Sequence, residues 1–117
     1  MMNYEGMSDF EINKQVAINR GGYQGHVEHM QHGVKESDRA SHGLLFTERD
    51  YCNNPSDAWP VILANRIMLN PYCADELWKA EVPCGFDGFV KEYANCYHRN
   101  PLRAAMIVFL MMQEPKS

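Results

Sequence analysis

The chain opens Met1-Met2-Asn3-Tyr4-Glu5-Gly6, without a basic cluster and without an apolar run behind it, so a secretory signal is not expected. Long hydrophobic runs are missing too. The longest, Ala104 to Met112, has nine residues, against the ~18 that a bilayer span needs, so no membrane partner is expected. Basic charge is scarce: 11 Lys and Arg stand against 15 Asp and Glu, a formal charge of −4. A surface that tracks phosphates carries a basic excess, which disfavours nucleic acid as a partner. The four cysteines, Cys52, Cys73, Cys84 and Cys96, form no C-x-x-C pair, so a structural zinc site is not expected. With no export signal they read as reduced thiols packed as small hydrophobes. A G-x-S-x-G elbow, a Walker loop and an H-E-x-x-H helix are all lacking. No reaction and no cofactor is named by these residues, and the expectation is a protein that is not an enzyme.

What is present is ordinary globular composition, 45% apolar and 22% charged over 117 residues. That predicts one domain over 1–117, able to bury roughly 65% of its unfolded surface without a covalent or metal staple. Three helix starts stand out. Ser8, with Glu11 three residues on, has the spacing of a capping box, and Met7 and Ile12 are placed for a hydrophobic staple. Gly21-Gly22 then closes a helix over about 9–20. Asn54-Pro55 suits an N-cap followed by the first helical position, with Asp57 at the positive end of the helix dipole. Trp59, Leu63 and Ile67 share one face of this second helix, which predicts a core role for Trp59, and Asn70-Pro71 marks the exit. Asn100-Pro101 repeats the start ahead of the nine apolar residues. A helix apolar all round has to be surrounded on every side, so this last one is expected at the centre of the core.

Strand signals lie between the helices. Gly43 to Cys52 alternates in part, and Leu77-Trp78-Lys79-Ala80-Glu81-Val82 alternates cleanly, with a helical reading of Asp75 to Ala80 as the alternative. Phe89 to Tyr93 is placed to pair with it across Pro83 to Gly88. The predicted class is α+β: a short antiparallel sheet of three or four strands on a buried C-terminal helix, with two further helices. Residues 21–43, rich in Gly, His, Ser and charge, read as a mobile loop region.

Few polar residues are left without a capping or surface role. His26, His29 and His32 recur every third residue, but neither a helix nor a strand gathers all three on one face, so they are weak metal candidates. Glu28, His42 or His98 would have to complete such a site. The five histidines do give the surface a pH response, since five added protons take the formal charge from −4 to +1. Asn54 and Asp57 are explained by capping, whereas Asn53 has no structural duty in the sequence and is a binding candidate. Arg103, in the first turn of the last helix, opposes the helix dipole. It implies either a carboxylate partner inside the domain or a site for an anionic group. His98 and Arg99 add positive charge beside it, so the candidate binding residues are Asn53, His98, Arg99 and Arg103. Met106, Met111 and Met112 read as core filler, with an adaptable binding surface as the alternative.

Three blocks, Ser8 to Lys14, Cys52 to Ile62 and Asn100 to Glu114, together resemble the NinX-like proteins, small cytosolic proteins of lambdoid phages and enterobacterial prophages. The blocks cover about a third of the chain, and the histidine-bearing segment 23–43 lies outside them. The resemblance implies a phage accessory protein in the cytoplasm of the infected bacterial cell, dispensable to virion architecture, and it carries no catalytic residues. The expected function is binding to a host or phage protein, with inhibition of a host defence protein as the leading form. The alternatives are a nucleic-acid or nucleotide binder using His98, Arg99, Arg103 and exposed Tyr93 or Tyr97, and a His-ligated metal-dependent enzyme. The oligomeric state is not set by the sequence.

Overall fold

The computed structural model describes residues 3–37, 46–72, 76–82 and 95–113. A single 3-10 turn, Tyr4–Gly6, precedes the first helix and buries Tyr4. Ser8 opens α1 (Asp9–Asn19), its hydroxyl accepting the Glu11 N–H at 3.1 Å. The helix closes as the glycine pair predicts. Gly21 takes φ 83°, its N–H donates to the Ile18 carbonyl, and the Gly22 N–H reaches Ala17, the paired bonds of a Schellman motif. Ile12, Val16 and Ala17 turn into the core, and so does Asn13.

The second helix, α2 (Pro55–Asn65), starts on Asn54, whose side chain accepts the Ser56 N–H at 3.0 Å. Asn54→Ala should therefore cost about 1 kcal/mol, the usual scale of a lost cap. Urea unfolding measures it, and an unchanged midpoint would remove the capping role.

Two expectations about this helix are corrected. Its exit is Arg66, held left-handed at φ 54°, with Arg66 and Ile67 N–H groups donating to the Leu63 and Ile62 carbonyls. Asn70 and Pro71 lie beyond it, in strand β4 (Met68–Tyr72). Trp59 is 54% exposed and Leu63 58%, so neither belongs to the core. The cause is the rotation of the helix. Buried Asp57 accepts from Arg49 Nη1 at 3.1 Å and from the Asp50 N–H at 2.9 Å. That turns the face bearing Ala58, Val61 and Ile62 inward and leaves Trp59 and Leu63 outside.

The third helix, α3 (Pro101–Gln113), is buried without a break from Arg103 to Leu110. It is contacted by α1, by α2 and by the second of two antiparallel sheets. That sheet runs β4, β5 (Leu77–Glu81), β6 (Asn95–His98), and Ala80 is buried in its middle strand. The first sheet, β1 (Tyr23–His26), β2 (Val34–Ser37) and β3 (Phe46–Arg49), leans on α1 instead. The molecule is α+β, with six strands among the described residues where three or four were expected. The strand reading of Leu77 to Glu81 holds over the helical one. Phe89 to Tyr93, the turn Pro83 to Gly88, Cys73 and Cys84 lie outside the described residues.

The stretch 21–43, read from sequence as loop, carries the β1–β2 hairpin over its first part; residues 38–45 lie outside the described residues. The signal was masked because a carboxylate occupies an inward position. Glu36 is buried, accepting from Arg20 Nη1 at 3.2 Å and from the Tyr51 hydroxyl. Burial first, and then that bond to the carboxylate, push the Tyr51 hydroxyl well above its ordinary range, so it stays protonated and donates. A bulge between Tyr23 and Gly25 shifts the register of β1, and Gly25 supplies the φ of 131° there.

Candidate functional site

The sequence candidates converge on the N-terminal end of α3. Asn100 caps the helix, its Oδ1 accepting Leu102 N–H at 2.9 Å and Arg103 N–H at 3.3 Å. Its Nδ2 donates to the Cys52 carbonyl at 2.6 Å and to Asn53 Oδ1 at 3.4 Å, which ties the start of α3 to the start of α2. Because it does both, Asn100→Ala should cost about 2 kcal/mol or more, exceeding Asn54→Ala. Equal losses in the two variants, read from urea midpoints, would deny the bridging bonds any role.

Arg103 is 7% exposed. Its Nη1 meets Asp9 Oδ1 at 2.6 Å, and its Nη2 donates to the Tyr4 and Met7 carbonyls at 3.1 and 2.7 Å. The guanidinium thus finds its carboxylate inside the domain. Asn53 has the structural duty that sequence reasoning missed. Its Nδ2 lies 3.3 Å from Asp9 Oδ2 and 3.1 Å from Asp50 Oδ1, bridging two carboxylates that would otherwise repel. Asn13 completes the cluster from α1, donating to Asp50 Oδ1 and to the His32 carbonyl, both at 2.8 Å, and accepting the Cys52 N–H at 3.0 Å. Asp50 lies only three residues from Asn53, but the pairings of Asn53 with Asp9 and of Asn13 with His32, Asp50 and Cys52 span 19 to 44 residues, beyond any local pattern.

His98 sits in β6 with Nδ1 accepting the Asn100 N–H at 2.9 Å. Its pKa is lowered from the ordinary 6.5, first by burial and then by the Arg103 charge, with Asp9 opposing both. The unfolded chain therefore takes up this proton at higher pH than the folded one. The contribution of His98 to stability is complete above pH 6.5 and declines as the pH falls through the folded value. His98→Gln should flatten the fall in unfolding free energy as the pH drops below 6.5; parallel curves for the two proteins would contradict this. Arg99, the remaining candidate, is exposed in the bend between β6 and α3.

The two described cysteines are both buried. Cys52 is driven well above the ordinary thiol range by burial and by Asp9, and Cys96 is pushed up to about 11 by burial and by Glu5, so neither offers a thiolate at neutral pH. The histidines of the hairpin are separated by their surroundings. His26 packs edge-on against Phe10 with ring centroids 5.0 Å apart, and His29 Nε2 meets Glu48 at 2.9 Å. His32 enters the core network through its carbonyl. Among the described residues no three His, Cys, Asp or Glu side chains come together as a metal site. His42 lies outside the described residues.

A second feature lies on the other flank. Trp59 and Leu63, four residues apart on α2, stand on its outer ridge, and Met68 of β4 is 43% exposed beyond the helix end. Sequence reasoning missed this surface because it placed the ridge inward. No helix among the described residues is long and apolar enough to cross a membrane.

The family model described as bacteriophage P22 NinX matches residues 3–113. The chain belongs to the NinX family. The match runs through residues 23–43, so the β1–β2 hairpin is part of the NinX domain, although the resemblance read from three sequence blocks stopped short of it. It equally takes in the polar cluster at α3 and the α2 ridge of this NinX protein. Searches of curated proteins and of solved structures give no match. Family membership makes the protein a phage accessory protein.

Proposed function

We propose that this NinX-family protein works without catalysing a reaction, by binding a host or phage protein in the cytoplasm of the infected bacterium. That is the setting in which an inhibitor of a host defence protein acts. The reading is carried by one observation: two large apolar side chains, Trp59 and Leu63, are left more than half exposed on one ridge. Burying such side chains is worth about 1.5–3 kcal/mol each, and a tryptophan ringed by aliphatic groups is a common energetic anchor of protein interfaces. The polar residues that looked functional support the same reading, since Asn53 and Arg103 are engaged with groups of their own domain.

The test is a photo-crosslinking amino acid placed at position 63 or, as a control, at exposed position 11, in protein made in infected cells. One discrete protein adduct from position 63, absent from position 11 and lost on adding Trp59→Ser, is expected. No adduct from position 63, or the same adducts from both positions, would overturn the proposal. Adducts to nucleic acid, with retention that falls steeply as salt is added, would replace it with the nucleic-acid reading.

A further inference from the structure

Asn100 uses each of its polar groups. Pro101 brings no N–H to the first position of α3, so the Asn100 side chain accepts the next two, from Leu102 and Arg103, and its carbonyl accepts the Ala104 N–H at 3.0 Å. Its Nδ2 reaches across to the Cys52 carbonyl and to Asn53, at the start of α2. Its own N–H turns back to His98 Nδ1 at 2.9 Å. Of these partners only the imidazole changes its hydrogen-bonding character near neutral pH. The residue that joins two helix starts is therefore held through one titratable bond.

That bond requires one protonation state. Nδ1 accepts, so the ring is neutral and carries its proton on Nε2. A second proton makes Nδ1 a donor that faces the Asn100 N–H, another donor, and the contact has to break. The surroundings offer the imidazolium little in exchange. Arg103 of α3 repels it, while Asp9 of α1 and Glu5 of the 3-10 turn attract it. Asp9 is already engaged, Oδ1 with Arg103 and Oδ2 with Asn53, so it can turn to the ring only by loosening the same joint. From β5, Trp78 stands opposite His98 and brings no charge. Burial first, and then Arg103, outweigh the two carboxylates and keep the ring neutral at neutral pH. The middle of α3, Met106 to Leu110, is held instead by apolar packing, which acid leaves untouched.

We infer that His98 is a latch released by acid: protonation at Nδ1 breaks its bond to the Asn100 N–H and lets the first turn of α3 part from the start of α2, while the buried middle of α3 stays folded. The inference is independent of the proposed binding to another protein.

NMR on the isotopically labelled full chain tests it. At neutral pH His98 Nδ1 should show the shift of an unprotonated ring nitrogen. On acidification the Asn100 amide should titrate with the same midpoint as the ring. Hydrogen exchange in low urea then locates the opening. The amides of Leu102, Arg103 and Ala104 should exchange through an opening that urea barely promotes, whereas those of Met106 to Leu110 follow global unfolding, which urea promotes strongly. With intrinsic exchange rates corrected for pH, full protonation of the ring should make the local opening about tenfold more frequent for each unit by which its midpoint lies below the ordinary 6.5. His98→Gln keeps an acceptor but cannot titrate, so it should hold the local opening at one level across the same range. A ring protonated on Nδ1 at neutral pH, an Asn100 amide indifferent to the ring, or first-turn amides with the urea dependence of the helix middle would overturn the inference. So would a pH response of the local opening that persists in His98→Gln. Should that variant fail to fold, the titration and exchange of the unaltered chain decide the matter.

Discussion

Replacing Arg103 by methionine is expected to lower the unfolding free energy by about 3–5 kcal/mol, the usual cost of removing one partner from a buried ion pair. Methionine fills similar apolar space, so little of the loss comes from packing. What it leaves behind is the Asp9 carboxylate and two backbone carbonyls, those of Tyr4 and Met7, with no guanidinium to meet them. One planar fork therefore fastens the first turn of α3 to the first turn of α1 and to the segment before it. The arrangement also reconciles two helix dipoles. A cation in the first turn of α3 is unfavourable by itself, while Asp9 in the first turn of α1 is favourable, and the pair lets each stand. Arg103→Lys keeps the charge but cannot reach carboxylate and carbonyls together, so it should recover only part of the loss. Because small domains are stable by only about 5–15 kcal/mol, the methionine variant should unfold at much lower urea. An unchanged midpoint would mean that solvent meets these groups equally well, and the pair would have no role in stability.

The parts of the fold that could be read in the sequence are those set by neighbours within four residues. Ser8, Asn54 and Asn100 open helices where they should, because a cap bonds to the N–H groups just beyond it. The run Ala104 to Met112 announced a buried helix because no exposed face was available to it, and burial holds as far as Leu110. The end of α2 was misread because an arginine adopts the conformation usually given to glycine. Its facing was misread because Asp57, an apparent surface capping residue, is buried and anchored by Arg49. The first hairpin was hidden by Glu36, a charge made tolerable inside by Arg20 and Tyr51. In the last two cases a charged side chain is buried, held by partners 8 to 16 residues away that a local pattern does not reach. The candidate site follows the same rule. Arg103 was conspicuous because it opposes a dipole, but its partner Asp9 lies 94 residues earlier and could not be named.

Asn13 carries the second large expectation, for it is completely buried and uses both of its N–H groups and its carbonyl oxygen. Through them α1 is locked to the end of the β1–β2 turn at His32, to Asp50, and to the Cys52 N–H just ahead of α2. Asn13→Leu keeps most of the volume but strands the Cys52 N–H and the His32 carbonyl. At about 1–3 kcal/mol for each abandoned buried group, the variant should lose about 2–6 kcal/mol. Asp50 suffers less, since Asn53 still donates to it at 3.1 Å. Asn13→Asp distinguishes hydrogen bonding from mere polarity. It keeps an acceptor for Cys52 but removes both donors and sets a second carboxylate against Asp50, so at neutral pH it should be less stable than Asn13→Leu. Hydrogen exchange adds the location of the damage: protection should fall first at the Cys52 amide and along the hairpin, before the amides of α3 respond. If Asn13→Leu instead unfolds at the same urea concentration as the unaltered chain, the three elements are held by apolar packing alone. The asparagine would then be a tolerated polar inclusion rather than the joint between them.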